Sequence, residues 1–138
     1  MSSATTNFEP LYVVDTHALI WYLLSDRKLS ANAKAIFQAA EQHQTLLVVS
    51  VIVLAELYYA NAKNHWFPDY DRVFNDLARA PYIRFVALNP EHVLDFAEDM
   101  AVPEMHDRLI AGLARRLNAP LVTSDPLITA AATARILW

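Results

Sequence analysis

Short apolar runs alternate with longer segments of helical character along this chain of 138 residues. Five runs have the length and composition of strands: LYVV (11–14), TLLVV (45–49), YIRFVAL (82–88), LVTS (121–124) and ARILW (134–138). Parallel strands need long crossovers, and the intervening segments are long enough to supply covering helices. The pattern therefore predicts an α/β sandwich with a mostly parallel central sheet, a single domain over residues 1–138, and ARILW as a last edge strand.

Capping residues and prolines indicate where the helices begin and end. Ser30 precedes ANAKAIFQAAEQ, and Ser50 precedes the helix that carries Glu56. Pro68 opens the helix DYDRVFNDLARA, Pro90 opens EHVLDFAEDMA, and HDRLIAGLARRLN has an acid in its first turn and arginines in its last.

Composition excludes several kinds of chemistry. The chain has no cysteine, which rules out disulfides, thiolate metal sites and cysteine nucleophiles. Its one glycine, Gly112, rules out glycine-rich phosphate loops. The formal charge of -4 argues against a broad footprint for duplex DNA, although a local basic cluster can still hold a short nucleic-acid segment. Neither a signal peptide nor a long apolar span is evident, so we expect a soluble, cytoplasmic protein without a membrane partner.

Three acids stand at positions where an α/β sheet binds ligands. Asp15 follows LYVV and Asp125 follows LVTS, and ligands of open parallel sheets lie outside the carboxyl ends of the strands. Taken singly, each is at least as well explained as a helix N-cap. Asp107 lies in the first turn of its helix, where the helix dipole already favours a carboxylate.

Glu56 is harder to explain by local structure. It is the one charged residue in SVIVLAELYYA (50–60), and a helix that is apolar all round is usually buried. A buried lone carboxylate costs several kcal/mol unless it is paired or bound to a metal. Three explanations remain open: an ion pair with Arg108 or Lys63, a protonated acid, or a metal.

The four acids make a stronger case together. A parallel sheet gathers Asp15, Asp107 and Asp125 at one edge, and the helix after TLLVV brings Glu56 to the same edge. Carboxylates within about 4–6 Å repel one another unless a cation neutralises them, and oxygen ligands without cysteine suit Mg²⁺ or Mn²⁺. Such a centre can hydrolyse phosphodiesters, because a metal generates hydroxide from water.

Several neighbours are candidates for auxiliary roles. Thr123 is equally well a metal or phosphate contact and a simple strand residue, and Thr16 is better explained as a helix-start residue. Arg108 can reach a phosphate. We expect His17 and His106 beside the acids or on the surface, not as metal ligands, because one residue along a helix turns a side chain by about 100°.

Aromatic residues offer a second, weaker signal for nucleic acid. Trp21, Tyr22, Tyr58 and Tyr59 can stack on bases, although aromatic residues on apolar helices more often belong to a core or a dimer interface.

Four segments in order resemble the PIN domain family, and especially its VapC-type ribonuclease toxins: VVDTHALIWYLL, VSVIVLAELYYA, HDRLIAGLARRLNAPLVTSD and ARILW. The resemblance implies a PIN-like three-layer α/β/α sandwich and a metal-dependent endoribonuclease that cuts structured RNA, such as tRNA or rRNA. It also implies an acidic cluster of Asp15, Glu56, Asp107 and Asp125 assisted by Thr123, and a homodimer inhibited by an antitoxin. One departure is PEMHDR, where related toxins often carry an Asp-Pro-Phe-Asp-Arg type of run; Asp107 stays in register.

Two other functions compete with this interpretation. A noncatalytic or housekeeping PIN-like interaction module would keep the fold, but the presence of all four acids argues against it. An aspartate-dependent phosphohydrolase or receiver is less favoured, because the second position after Asp15 is His17 and no lysine follows Lys63.

Overall fold

The computed structural model describes residues 10–138, which form a five-stranded sheet flanked by helices. The strands are β1 (Leu11–Val14), β2 (Leu46–Ser50), β3 (Ile83–Val86), β4 (Leu121–Val122) and β5 (Ile136–Leu137). The α-helices are α1 (Thr16–Leu23), α2 (Ala31–Glu41), α3 (Val51–Asn64), α4 (Tyr70–Arg79), α5 (Pro90–Leu94), α6 (Met105–Arg116) and α7 (Pro126–Ala131). A 3-10 helix, Asp95–Asp99, follows α5.

The strand order is β3-β2-β1-β4-β5, and every neighbouring pair is parallel. The predicted α/β sandwich is confirmed, with a sheet that is wholly rather than mostly parallel and with β5 at its edge. Right-handed crossovers place the helices that follow β1 and β2 on one face and those that follow β3 and β4 on the other. The chain therefore changes direction between β1 and β4, and a crevice opens where their carboxyl ends diverge.

Local capping fixes the helix starts near that crevice. The side chain of Asp15 accepts a hydrogen bond from the Ala18 N–H at 2.8 Å. Ser50 caps α3 as predicted, accepting from the Ile52 N–H at 3.2 Å. Asp125 caps α7, with Pro126 at its first position. Helices α1 and α3 thus begin directly at strand ends, and three residues separate α7 from β4.

One predicted helix is wrong in detail. The segment EHVLDFAEDMA forms α5 and then the tighter 3-10 helix instead of one continuous helix. The 3-10 turns end at Asp99, whose buried carboxylate accepts hydrogen bonds from Arg115 and Thr133. We attribute the change of helix type to these two long-range bonds, which local periodicity does not encode.

The core lies between the sheet and its helices. Strands β1, β2 and β4 are largely buried, as their apolar runs indicate, and Phe37, Leu57 and Ile110 pack from α2, α3 and α6. Helix α3 is less buried than its composition suggests, because Tyr58 and Tyr59 are 53% and 73% exposed. Within residues 10–138, no helix is both long and apolar enough to cross a bilayer.

Candidate active site

A cleft of about 370 Å³ opens at the carboxyl ends of β1 and β4. Its acidic residues, called the carboxylate cleft below, are Asp15, Glu56, Glu104, Asp107 and Asp125. Thr16, His17 and Ile20 line the same space from α1. The four acids that the sequence singled out therefore lie around one cavity, each carried by a different segment of the chain.

Asp15 is held at the floor of the cleft. It is only 6% exposed, and its carboxylate accepts hydrogen bonds from the Ala18 N–H and from the Thr123 hydroxyl. Burial raises the pKa of Asp15, while these two hydrogen bonds act in the opposite direction. The buried Thr123 hydroxyl also accepts from the Asp125 N–H at 3.0 Å, so one threonine fixes both strand-end acids.

Glu56 reaches the cleft from the second turn of α3. One carboxylate oxygen accepts from the Thr16 hydroxyl at 2.5 Å, and the other lies 3.3 Å from Nδ1 of His106. Its side chain is 28% exposed, so it is not fully desolvated. Residues 10–138 contain four ion pairs, and none of them joins Glu56 to Arg108 or Lys63. The arginine or lysine partner considered from the sequence is therefore not there.

Asp107 shows the crowding of negative charge most directly. It lies in the first turn of α6, and its pKa is raised to about 6. Partial burial is the largest cause, followed by repulsion from Glu104, Asp125, Glu56 and Asp15. The carboxylates thus face one another closely enough for each to oppose the ionisation of Asp107.

Glu104 is a cleft residue that sequence reasoning missed. It is the N-cap of α6, and its carboxylate accepts from the Asp107 N–H at 3.0 Å. The usable signal was its position three residues before Asp107, after Pro103, which is the spacing of a side chain that caps a helix. Glutamate is not a preferred capping residue, so this signal was weak.

The remaining candidates lie at or beyond the rim. The exposed His17 lines the cleft, and the half-buried His106 contacts Glu56 and Glu104. The guanidinium of Arg108 turns away, donating to the carbonyls of Met100 and Val102. The structure thus brings Thr16 and Thr123 to the acids and does not bring Arg108 there.

The donor set suits a hard divalent cation. Carboxylate and hydroxyl oxygens are what Mg²⁺ and Mn²⁺ prefer, and the raised pKa of Asp107 indicates unneutralised negative charge. As the side chains of residues 10–138 stand, no three acidic or imidazole groups converge tightly enough to hold one ion. Mg²⁺ usually keeps several waters and is held by one or two carboxylates, so a tight cluster of three is not needed for binding.

Fold and site together define a class of nuclease-like α/β domains with acids at the switch point of the sheet. The model of the PIN domain family matches residues 12–133. The chain therefore belongs to the PIN domain family. No curated protein matches the sequence significantly.

Several solved structures share this fold. VapBC2 from Rickettsia felis, bound to a DNA fragment from its promoter, matches with a TM-score of 0.69 at 17% identity over 92% of this chain and 97% of that one. FitAcB from Neisseria gonorrhoeae gives 0.67 at 16% over 92% and 96%. A toxin-antitoxin complex from Klebsiella pneumoniae gives 0.65 at 19% over 92% and 96%. At these identities the likeness establishes the fold alone.

Proposed function

We propose that this chain is a metal-dependent endoribonuclease that hydrolyses phosphodiester bonds of structured RNA, as the toxin of a toxin-antitoxin pair. The observation that carries the proposal is the carboxylate cleft, where Asp15, Glu56, Asp107 and Asp125 share one space without an arginine or lysine among their ion pairs. Several crowded acids are unfavourable in a fold unless a bound cation repays them.

These four acids would hold Mg²⁺ or Mn²⁺. When bound, such an ion offsets charge on the phosphate and lowers the pKa of water, which supplies the nucleophile for hydrolysis. Asp107, with a pKa of about 6, is protonated more readily than an ordinary aspartate and must lose that proton when it becomes a ligand.

Hydroxyl groups orient the acids in this proposal. Thr123 holds Asp15 and the backbone of Asp125, and Thr16 holds one oxygen of Glu56. We assign both threonines positioning roles. Arg108 has no role here, since its guanidinium is engaged outside the cleft.

The partners follow from the structural neighbours and from the surface. One of these neighbours, from Klebsiella pneumoniae, was solved as a toxin-antitoxin complex, which supports an antitoxin partner for this chain. A homodimer is supported by α3, whose Val51, Tyr58 and Tyr59 expose apolar surface on one side. Light scattering of the purified chain measures its mass directly.

Expression of the chain alone, followed by sequencing of the 5′ ends of cellular RNA, tests the proposal and identifies the RNA. We expect new ends at discrete positions with the wild type and none with Asp15→Asn, which removes a ligand charge but little volume. Circular dichroism of Asp15→Asn should match that of the wild type. New RNA ends that persist with Asp15→Asn would contradict the mechanism, and no new ends with the wild type would favour a noncatalytic interaction module.

A further inference from the structure

A row of aromatic and basic side chains leads away from the carboxylate cleft along α1. His17 is exposed at the rim of the cleft, and Trp21 follows one helical turn later with its ring 5.6 Å from the imidazole, centroid to centroid. The ammonium of Lys28 lies 5.8 Å from the centre of the Trp21 ring. We call His17, Trp21 and Lys28 the α1 track.

The far end of the α1 track differs in charge from the cleft. Arg27, Lys28 and Lys34 are exposed there, and none of them takes part in the four ion pairs of residues 10–138. Asp26 and Glu41 lie beside Arg27 and Lys34, which leaves this corner with a small positive excess. A polyanion held at the cleft by a cation and extending past Trp21 would meet this positive excess.

The chemistry of the row matches one ligand class. Aromatic faces stack on unpaired bases of any sequence, and lysine neutralises the phosphates between them. We propose that the α1 track binds single-stranded RNA that flanks the cut phosphodiester, with a base on Trp21 and a phosphate on Lys28. This inference rests on the proposed function, because it takes RNA to be the substrate.

A packing role is the competing explanation for Trp21. Its ring meets Trp138 edge to face at 5.7 Å, next to β5. Packing alone predicts that substitutions of Trp21 change stability and nothing else. A packing role for Trp21 predicts no effect of the exposed Lys28 on RNA binding. A substitution of Lys28 therefore distinguishes the two explanations more sharply than one of Trp21.

The first experiment measures RNA binding without cleavage. A labelled single-stranded RNA of about eight nucleotides is titrated with the full chain in a metal chelator at several salt concentrations. For Lys28→Ala, we expect the slope of log affinity against log salt to become shallower by about 0.7, the value for one lost phosphate contact. The matched control Lys63→Ala, which removes a lysine from the last turn of α3, should keep the wild-type slope.

The second experiment isolates stacking. We expect Trp21→Ala to weaken binding about tenfold and Trp21→Phe to retain most of the affinity, because a phenyl ring still offers a face to a base. Thermal melts report whether each variant is folded. A duplex RNA of the same length should bind without this dependence on Trp21.

An unchanged salt slope for Lys28→Ala overturns the proposal, whatever happens to the Trp21 variants. Unchanged RNA binding together with weaker binding of a cognate protein partner would instead make the α1 track a protein-docking surface. Binding and cleavage are measured separately, so the two proposals fail separately. A chain that cuts RNA but binds it independently of Lys28 contradicts only this inference, and one that binds through the track but never cuts contradicts the proposed function.

Discussion

Two acidic regions of this protein, the 3-10 helix and the carboxylate cleft, differ in how their negative charge is balanced. Asp95 and Asp99, in the 3-10 helix, pair with Arg116 at 2.7 Å and Arg115 at 3.1 Å. In the carboxylate cleft, Asp107 faces other acids. The hydrogen bond from Arg116 lowers the pKa of Asp95, whereas burial and neighbouring acids raise the pKa of Asp107.

The two regions differ in the source of the positive charge that balances their carboxylates. The 3-10 helix carries acids whose countercharges are built into α6, so their role is complete within the fold. The acids of the carboxylate cleft have no arginine or lysine among their ion pairs, and in the proposed function a bound ion supplies their countercharge. An acid-to-amide substitution should therefore have opposite consequences in the two regions, which gives four ways to test the comparison.

The largest expected effect is on RNA cleavage. We expect Asp107→Asn to slow cleavage about a thousandfold, because it removes a ligand charge at the reacting centre. Asp95→Asn should cleave at close to the wild-type rate, since its pair with Arg116 lies outside the cleft. Cleavage of a defined RNA by purified protein measures both, and equal losses would remove the distinction between the two regions.

Stability should respond next. Asp99 is 1% exposed and anchors both Arg115 and Thr133. Asp99→Asn leaves the Arg115 charge without its partner, so we expect a loss of about 3 kcal/mol in the free energy of unfolding. Urea denaturation without metal measures this loss. A change below experimental error would mean that the 3-10 helix does not depend on its countercharge.

Divalent ions and pH should both act on the carboxylate cleft. The pKa of Asp107 is about 6 in the folded protein and about 4 in an unfolded chain, so between these pH values the folded protein binds the proton more tightly. The metal-free protein should therefore lose stability as pH rises from about 4 to about 6. Above that window Mn²⁺ should restore about 2.7 kcal/mol at one hundred times its dissociation constant.

Below about pH 5 the gain from Mn²⁺ should disappear, because protonated carboxylates are poor ligands. Melting temperatures with and without Mn²⁺ at several pH values check both trends. For Asp107→Asn, we expect the gain to be small at every pH. A gain from Mn²⁺ that is independent of pH would place the ion elsewhere.

The smallest effect concerns Glu56. We expect Glu56→Gln to stabilise the metal-free protein by about 0.5–1 kcal/mol by relieving repulsion, and to weaken Mn²⁺ binding. Glu98→Gln, an exposed acid outside the cleft, is the control and should change neither quantity. If Glu56→Gln melts clearly below the wild type, the contact with His106 outweighs the repulsion.

The sequence predicted the fold well where the determinants are local. The end of β1 follows from the apolar run before Asp15, and the start of α3 follows from Ser50. The predicted strand LVTS is also present as β4, but it ends at Val122, two residues earlier than predicted. Parallel pairing then brings the strand ends together at one edge, which is why a shared site was predictable.

Long-range contacts account for what the sequence did not predict. The cleft position of Glu104 depends on the path of the chain between Asp99 and α6, and Asp99 is held by Arg115, a residue of a later helix. For Tyr58 and Tyr59 on α3, the sequence left a core position and a dimer interface both open. Apolar composition cannot tell which part of a helix the sheet will cover.

The cleft also has a consequence for synthesis of the chain. Its four predicted ligands come from the segment after β1, from α3, from α6 and from the segment after β4. The set is complete only once residue 125 has been synthesised. A nascent or truncated chain that stops before Asp125 lacks both that acid and the neighbouring strand end. Prematurely terminated products would therefore lack the proposed hydrolytic activity, which would be acquired only as translation reaches the last strands.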